Sequence, residues 1–427
     1  MLTAALFALG AGLFWFVLFQ RHRNQAPEPR TLLTILFVTG LLCRLSFVFL
    51  TPTFYAPDEE SHYKYIQHLV EQRSFPIQTS KLGEYTNDFE YNQPPLYYLL
   101  LTPLFWLGHA VFGEVSATVI LLRLVSVLFW GANVWLVKIW LRRLEINNPF
   151  VWTFVMGMVC LLPTYVFVSS VVNNDNLLTT LGGALLCLLA RREASLKNSL
   201  TTGLVLGLAL LTKQSAGIFV PAIVLLALGD GLQKRTSWAT AITRIAIVGS
   251  VSAMLFLPRA FWNFKTYGSL TPEFLILSPI PWPSFLHGIA AAAHNILKTF
   301  WAVAGITNNI AYPFPLVGMA LMGLCLLAQQ EGIRAHSPTD HSKSGISSIM
   351  VWALALTVII NIGLVLRFGY ISGMGQGRHL FPVVFPLALA LASGLRPLPI
   401  KSPAVQAVGF WVAYAVVFTA FSLKRFP

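Results

Sequence analysis

The sequence predicts an all-α, polytopic membrane protein of about twelve transmembrane helices. Three observations predict it. Mean hydropathy is +0.68, and only 11% of the residues are charged against 56% hydrophobic. Apolar runs approaching the roughly 20 residues that cross a hydrocarbon core recur along the whole chain. The apolar–polar alternation of a membrane β-barrel is absent, so each run must satisfy its backbone amides internally, as a helix.

In order, the runs are residues 3–20, 31–50, 118–140, 149–168, 176–190, 199–212, 215–229, 239–257, 312–329, 347–366, 380–395 and 404–421. The first, Met1 to Gln20, has the length of a signal peptide but no basic start, and basic residues follow it, so it reads as a first span with its N-terminus outside. Residues 1–30 therefore form an extra N-terminal helix and a basic cytoplasmic loop, ahead of a transmembrane domain over 31–427. No internal repeat is evident, which disfavours a transporter built from inverted halves.

The net charge of +13 sits largely in short basic clusters between runs, not on a surface that could track phosphates, so nucleic acid is not expected as a partner. Under the positive-inside rule Arg21-His22-Arg23, Arg142-Arg143, Arg191-Arg192, Lys234-Arg235, the segment 331–345, and Arg396 with Lys401 are cytoplasmic. Loops 51–117 and 258–311 are then outer loops, the second with an amphipathic piece near 284–301. The apolar stretch "PPLYYLLLTPLFWLGHAVFG" (94–113) is long enough to span. Crossing would put Arg142-Arg143 on the wrong face, so a helix lying in the outer interface is expected, anchored by Trp106 and His109. The same count puts Lys424-Arg425 outside, against the charge rule. The four cysteines, Cys43, Cys160, Cys187 and Cys325, all fall in apolar runs, which implies neither a disulfide framework nor a metal knuckle.

The first outer loop is chemically unusual. Of 16 acidic residues, seven lie between residues 58 and 90, beginning with "PDEESH", and acids hardly affect membrane insertion. One reading is local: Asp58 caps a helix beginning after Pro57, with Glu59 and Glu60 in its first turn against the positive helix end. The other is chemical. Asp58 and His62 share a helix face, a carboxylate above an apolar cavity is a plausible general base, and Asp58, Glu59 and His62 are donor types for a divalent cation (Mg, Mn or Zn). No HExxH occurs.

Further polar residues fall at the outer ends of runs: Asn173-Asn174-Asp175, Lys213-Gln214, Arg259 with Asn263 and Lys265, and Arg367, Arg378 and His379 around "GYISGMGQGRHLFP". Each alone reads as an interfacial anchor. Together they put acids and cations on one side of the bilayer, which suits an anionic, lipid-linked substrate.

With these residues in view, the chain resembles the GT-C superfamily of polytopic glycosyltransferases, in particular the protein mannosyltransferase and aminoarabinose-transferase-like group and a related family of bacterial membrane proteins. The pieces match in order: "PDEESH", "NQPPLYYLL", Arg123 in "LLRLVSVL", "NNDNLL", "GLVLGLALLTKQSAGIFVPAIVLL", "PRAFWNFKTYGS" and "GQGRHLFPVVFPLALALASGL". Their order is more specific than any single one, and they cover most of residues 31–395.

The resemblance implies transfer of a sugar from a polyprenyl-phosphate donor to an acceptor hydroxyl of a glycan, lipid or protein. The expected setting is the outer face of a bacterial inner or plasma membrane. Asp58 would be the base, Glu59 its support, and Asp175, Lys213, Arg259, Arg378 and His62 would serve the donor phosphate and substrate. One base predicts inversion at the sugar carbon. The extra first span and the absence of a soluble C-terminal domain depart from the family plan. A polymerase or ligase of lipid-linked glycan, a lipid or glycan transporter and a non-catalytic assembly subunit are the alternatives.

Overall fold

The computed structural model describes residues 29–79, 88, 90–272, 280–305, 314–335, 346–395 and 403–426. The expected first span 3–20, Arg21-His22-Arg23, Glu84, the loop 336–345, and Arg396 with Lys401 lie outside the described residues. Every described element is helical, as the hydropathy pattern predicts.

The helices are α1 (Pro29–Leu50), α2 (Glu59–Gln72), α3 (Leu96–Phe112), α4 (Val115–Arg143), α5 (Pro149–Leu161), α6 (Pro163–Val168), α7 (Asp175–Arg191) and α8 (Leu196–Thr212). They continue with α9 (Phe219–Leu232), α10 (Trp238–Tyr267), α11 (Phe285–Trp301), α12 (Phe314–Ala335), α13 (Ser348–Ser372), α14 (Val384–Leu395) and α15 (Pro403–Arg425). Two 3-10 segments, Gln214–Ile218 and Gly377–Val383, lead into α9 and α14. Among the described residues seven helical stretches are long and apolar enough to cross a membrane, with shorter apolar helices between them. The chain is a multi-pass integral membrane protein.

The bundle has two chemically distinct ends. At one, Arg192 at the end of α7 and Arg244 in α10 both pair with Asp230 of α9, and Arg192 also bonds Ser347 at the start of α13. At the other, the α1–α2 connection, the N-terminus of α7, the C-terminus of α8 and the Gly377–Val383 segment meet around a cavity. Among the described residues the basic clusters Arg142-Arg143, Arg191-Arg192 and Lys234-Arg235 lie together at the Asp230 end.

Helix α3 belongs wholly to the cavity end. It starts where Tyr98 meets His62 and Asn174. It finishes with Gly108 against Thr118, in the first turns of α4. Arg123, further along α4, is still tied to the α1–α2 connection. Both ends of α3 therefore sit on one side, as the charge argument for 94–113 requires. The C-terminus of α15 also reaches this end, where Phe426 packs on Tyr55.

The expected span 149–168 is broken at Pro163 into α5 and α6, and the break is patched by side chains. Proline has no N–H to give Val159, and its ring crowds the Val159 carbonyl in the preceding turn. The Trp130 indole donates to the Val159 carbonyl at 3.1 Å, and Arg44 donates to the Cys160 carbonyl at 2.7 Å. The Arg44 guanidinium stacks 4.0 Å over the Trp130 ring, so the two patches hold each other.

Candidate active site

Asp58 immediately precedes α2, yet its side chain does not cap the helix. Its backbone is left-handed, with φ of 62°, a conformation Asp tolerates better than most residues. This turns the carboxylate toward Arg378, with which it forms an ion pair across 320 positions of sequence. The local reading of Asp58 as a side-chain cap is thereby corrected. Burial pushes the Asp58 carboxyl up, but the positive charge of Arg378 outweighs it and holds the group below the usual carboxylate range.

Arg378 is delivered by the 3-10 segment. A Cβ on Gly377 would sit on the Phe300 backbone nitrogen of α11, so only glycine lets the segment lie this close. The Gly377 N–H donates to Thr299 Oγ1 at 2.7 Å, which pins the segment one residue before the guanidinium.

A second ion pair lies in the same cavity. Asn173 Oδ1 accepts the Asp175 N–H at 2.8 Å, and Asn176 Nδ2 donates to the carbonyls of Val168 and Val171, which fixes the start of α7. Asp175 Oδ1 then accepts from Lys213 Nζ at 2.7 Å, while His379 Nδ1 lies 3.6 Å from its other oxygen. Lys213 stands at the break between α8 and the Gln214–Ile218 segment, in extended backbone that turns it out of the helix line.

Both pairs line one cavity of about 310 Å³. Its wall also carries Gln78, Glu90, Asn92, Gln93, Gln214, Asn361 and Gln376. Four sequence-predicted site residues thus converge: Asp58, Asp175, Lys213 and Arg378.

The other three do not line the cavity. Glu59 is fully buried and takes a bidentate grip from Arg123, at 2.8 Å from Nε and 2.6 Å from Nη2. Its Oε1 also accepts the Val172 N–H at 3.0 Å, while Arg123 holds the carbonyls of Val48, Thr51 and Pro52. Glu59 therefore positions Asp58 by bolting the start of α2 to α4 and to the loop before α7. His62 is buried with Nδ1 3.0 Å from the Tyr98 hydroxyl, and burial first, then Lys213 and Arg378 against the opposing Asp58 charge, pushes its imidazole down to about 4. Arg259 lies beneath the loop: its Nη2 donates to the Asn92 and Gln93 carbonyls at 3.0 Å each, and its guanidinium stacks 4.1 Å over Trp262.

Asp58, Glu59 and His62 do not fit a divalent cation. Glu59 faces Arg123, His62 faces Tyr98 and Asp58 faces Arg378, so their donor atoms diverge. Among the described residues no group of three His, Cys, Asp or Glu side chains forms a cation-holding set. Sequence reasoning also missed two ionisable lining residues. His379 was in view only as a flank of Arg378. Glu90 was one of seven acids, with nothing in its neighbours to single it out.

No family model matches the chain, and no curated protein matches its sequence. Solved structures do match. ArnT from Cupriavidus metallidurans bound to undecaprenyl phosphate superposes with a TM-score of 0.53 at 14% identity, over 92% of this chain and 77% of that one. Its apo state gives 0.52 over 93% and 78%. The archaeal oligosaccharyltransferase AglB from Archaeoglobus fulgidus, in complex with an inhibitory peptide and a dolichol-phosphate, gives 0.51 at 12% identity. That match covers 91% of this chain and 55% of AglB, so the chain spans little more than half of AglB's length. Across such low identity what is shared is the path of the backbone: the chain has the fold of ArnT and AglB, the GT-C fold that the order of its motifs resembles.

Proposed function

We propose that the protein is a glycosyltransferase that moves a sugar from a polyprenyl-phosphate donor to an acceptor hydroxyl, with inversion, at the outer face of a bacterial inner or plasma membrane. The observation that carries this reading is the convergence of two acid–base ion pairs, Asp58–Arg378 and Asp175–Lys213, in one cavity at the end of an apolar bundle. The volume lies near the lower end of the roughly 300–1,000 Å³ usual for small-ligand pockets, which suits one sugar and a phosphate better than a long glycan. ArnT, which shares the fold, binds undecaprenyl phosphate.

In this reading the Asp58–Arg378 pair is the resting state. A donor phosphate competes for the guanidinium, and the released Asp58 carboxylate becomes free to act as base. Asp58 takes the proton of the acceptor O–H as the acceptor oxygen bonds to the anomeric carbon. The bond from that carbon to the phosphate oxygen breaks with its electron pair, so polyprenyl phosphate leaves as an anion. Arg378 and Lys213 receive that developing negative charge in a site with little water to screen it. Asp175 holds Lys213 in place, and Asp58 returns its proton to water.

The test is transfer by purified protein in a bilayer, from a panel of undecaprenyl-phosphate sugars. Asp58→Asn keeps the shape of the side chain and removes the base, and is expected to lower transfer by the folded protein at least about a hundredfold, with a lower unfolding temperature because Arg378 loses its counterion. Wild-type transfer by that variant takes Asp58 out of the role.

A further inference from the structure

The cavity carries a third carboxyl, and it is placed unlike the other two. Asp58 and Asp175 each face a cation, whereas Glu90 Oε2 is buried without a hydrogen-bond partner. Glu90 also has φ of 71°, a left-handed conformation that a glutamate adopts only where the surroundings enforce it. The enforcement is visible. The Gln93 N–H closes a turn on the Glu90 carbonyl at 3.1 Å. Arg259 holds the carbonyls of Asn92 and Gln93, and Tyr65 Oη adds a 3.1 Å bond to the latter. With its backbone thus occupied, the stretch presents the side chains of Glu90, Asn92 and Gln93 to the cavity.

We propose that Glu90 forms with the amides of Asn92 and Gln93 the subsite that recognises the hydroxyls of an uncharged sugar on the donor. The inference rests on the glycosyl-transfer reading above and narrows its substrate class.

Charge balance supports it. Asp58 and Asp175 are matched by Arg378 and Lys213, and the donor phosphodiester brings one further negative charge. A third ionised carboxylate would repel that phosphate, while a protonated one would not. The groups that act on Glu90 come from every side: Asp58 from the α1–α2 connection, Asp175 from α7, Lys213 from the α8 terminus and Arg378 from the 3-10 segment. Burial, with the Asp58 charge next, outweighs the cations and pushes Glu90 up to about 8. A protonated carboxyl donates one hydrogen bond and accepts others, as each sugar hydroxyl does, and amides do the same. An amino sugar would call for the anionic form instead.

The experiment measures binding to full-length protein in lipid nanodiscs between pH 7 and 10. The probes are undecaprenyl-phosphate mannose, undecaprenyl-phosphate aminoarabinose and undecaprenyl phosphate alone. Wild-type affinity for the mannosyl lipid is expected to fall about tenfold per pH unit above roughly 8, while affinity for undecaprenyl phosphate alone, which meets only the added negative charge, falls less steeply. Glu90→Gln, which mimics the neutral acid, is expected to bind the mannosyl lipid at pH 7 within about threefold of wild type and to lose the alkaline fall. Glu90→Leu is expected to lose about tenfold or more at pH 7. The inference is overturned if Glu90→Gln binds as weakly as Glu90→Leu, or if the aminoarabinosyl lipid binds more tightly than the mannosyl one. Failure of wild type to bind any of the three lipids overturns the glycosyl-transfer reading itself, and the subsite with it.

Discussion

Arg378 sets the working range of Asp58. A base acts only when deprotonated, and the guanidinium holds this carboxyl below the usual range, so transfer should persist into mildly acidic solution. Replacing Arg378 with Gln removes the main force lowering the group and leaves burial to raise it. The acidic limb of the pH–rate profile is therefore expected to move to higher pH, alongside a loss in kcat/KM of at least about tenfold. A limb that stays in place would separate Asp58 from the rate-determining proton. His62 should behave differently. Its imidazole is pushed down to about 4 and is neutral above that, so His62→Gln should leave the profile unchanged in shape between pH 5 and 8. Asp58, Asp175, Lys213 and Arg378 were legible in the sequence because each charge sits at the end of an apolar run, where only a few partners are in reach. Glu59, His62 and Arg259 looked equivalent on that criterion. Which way a side chain turns depends on its neighbours in space, and these three turn toward Arg123, Tyr98 and the loop carbonyls. Glu90 carries no such positional mark, and its isolation is a property of the folded cavity.

At the scale of elements, hydropathy located the helices and one of their two interruptions. The break at Lys213, between runs 199–212 and 215–229, is visible in the sequence, whereas run 149–168 has the composition of a single span that Pro163 splits, and the breaks serve different ends. The break at Lys213 frees a charged side chain for the cavity. The break at Pro163 is repaired, and the repair is testable. Trp130→Phe keeps the ring under Arg44 but removes the indole donor, leaving the Val159 carbonyl unpaired in an apolar interior. A loss of about 1–3 kcal/mol is expected, read as a lower unfolding temperature in detergent with the site chemistry preserved in the folded fraction. The Glu59–Arg123 bolt is a stronger case. Glu59→Gln leaves a fully buried guanidinium without its counterion, a change that costs about 3–5 kcal/mol. Unfolding temperature should drop sharply. If stability is intact while transfer is lost, Glu59 acts in the chemistry and not as a positioning residue.

At the scale of the whole molecule, both ends of the helix at 96–112 sit at the cavity end of the bundle, as the charge pattern of the sequence expects. The side of the membrane on which it lies can be read by labelling. The described cysteines Cys43, Cys160 and Cys187 are buried, so an impermeant maleimide should report introduced cysteines over a low wild-type background. Trp106→Cys and Phe75→Cys are expected to label from the same side of intact cells, and Lys234→Cys only after the membrane is opened. Labelling of Trp106→Cys and Phe75→Cys from opposite sides would mean that α3 crosses.

The pair between Asp58 and Arg378 bridges 320 positions of chain, and this has a consequence for biogenesis. Helices enter the bilayer in order of synthesis, so Asp58 reaches its side of the membrane long before its partner exists. A chain halted anywhere before Gly377 carries the acids of the cavity and lacks the guanidinium that completes the anion receptor. Lipid phosphate would meet net negative charge there and be turned away. In the proposed reaction, competence to engage a donor would thus arrive only with nearly the last helices.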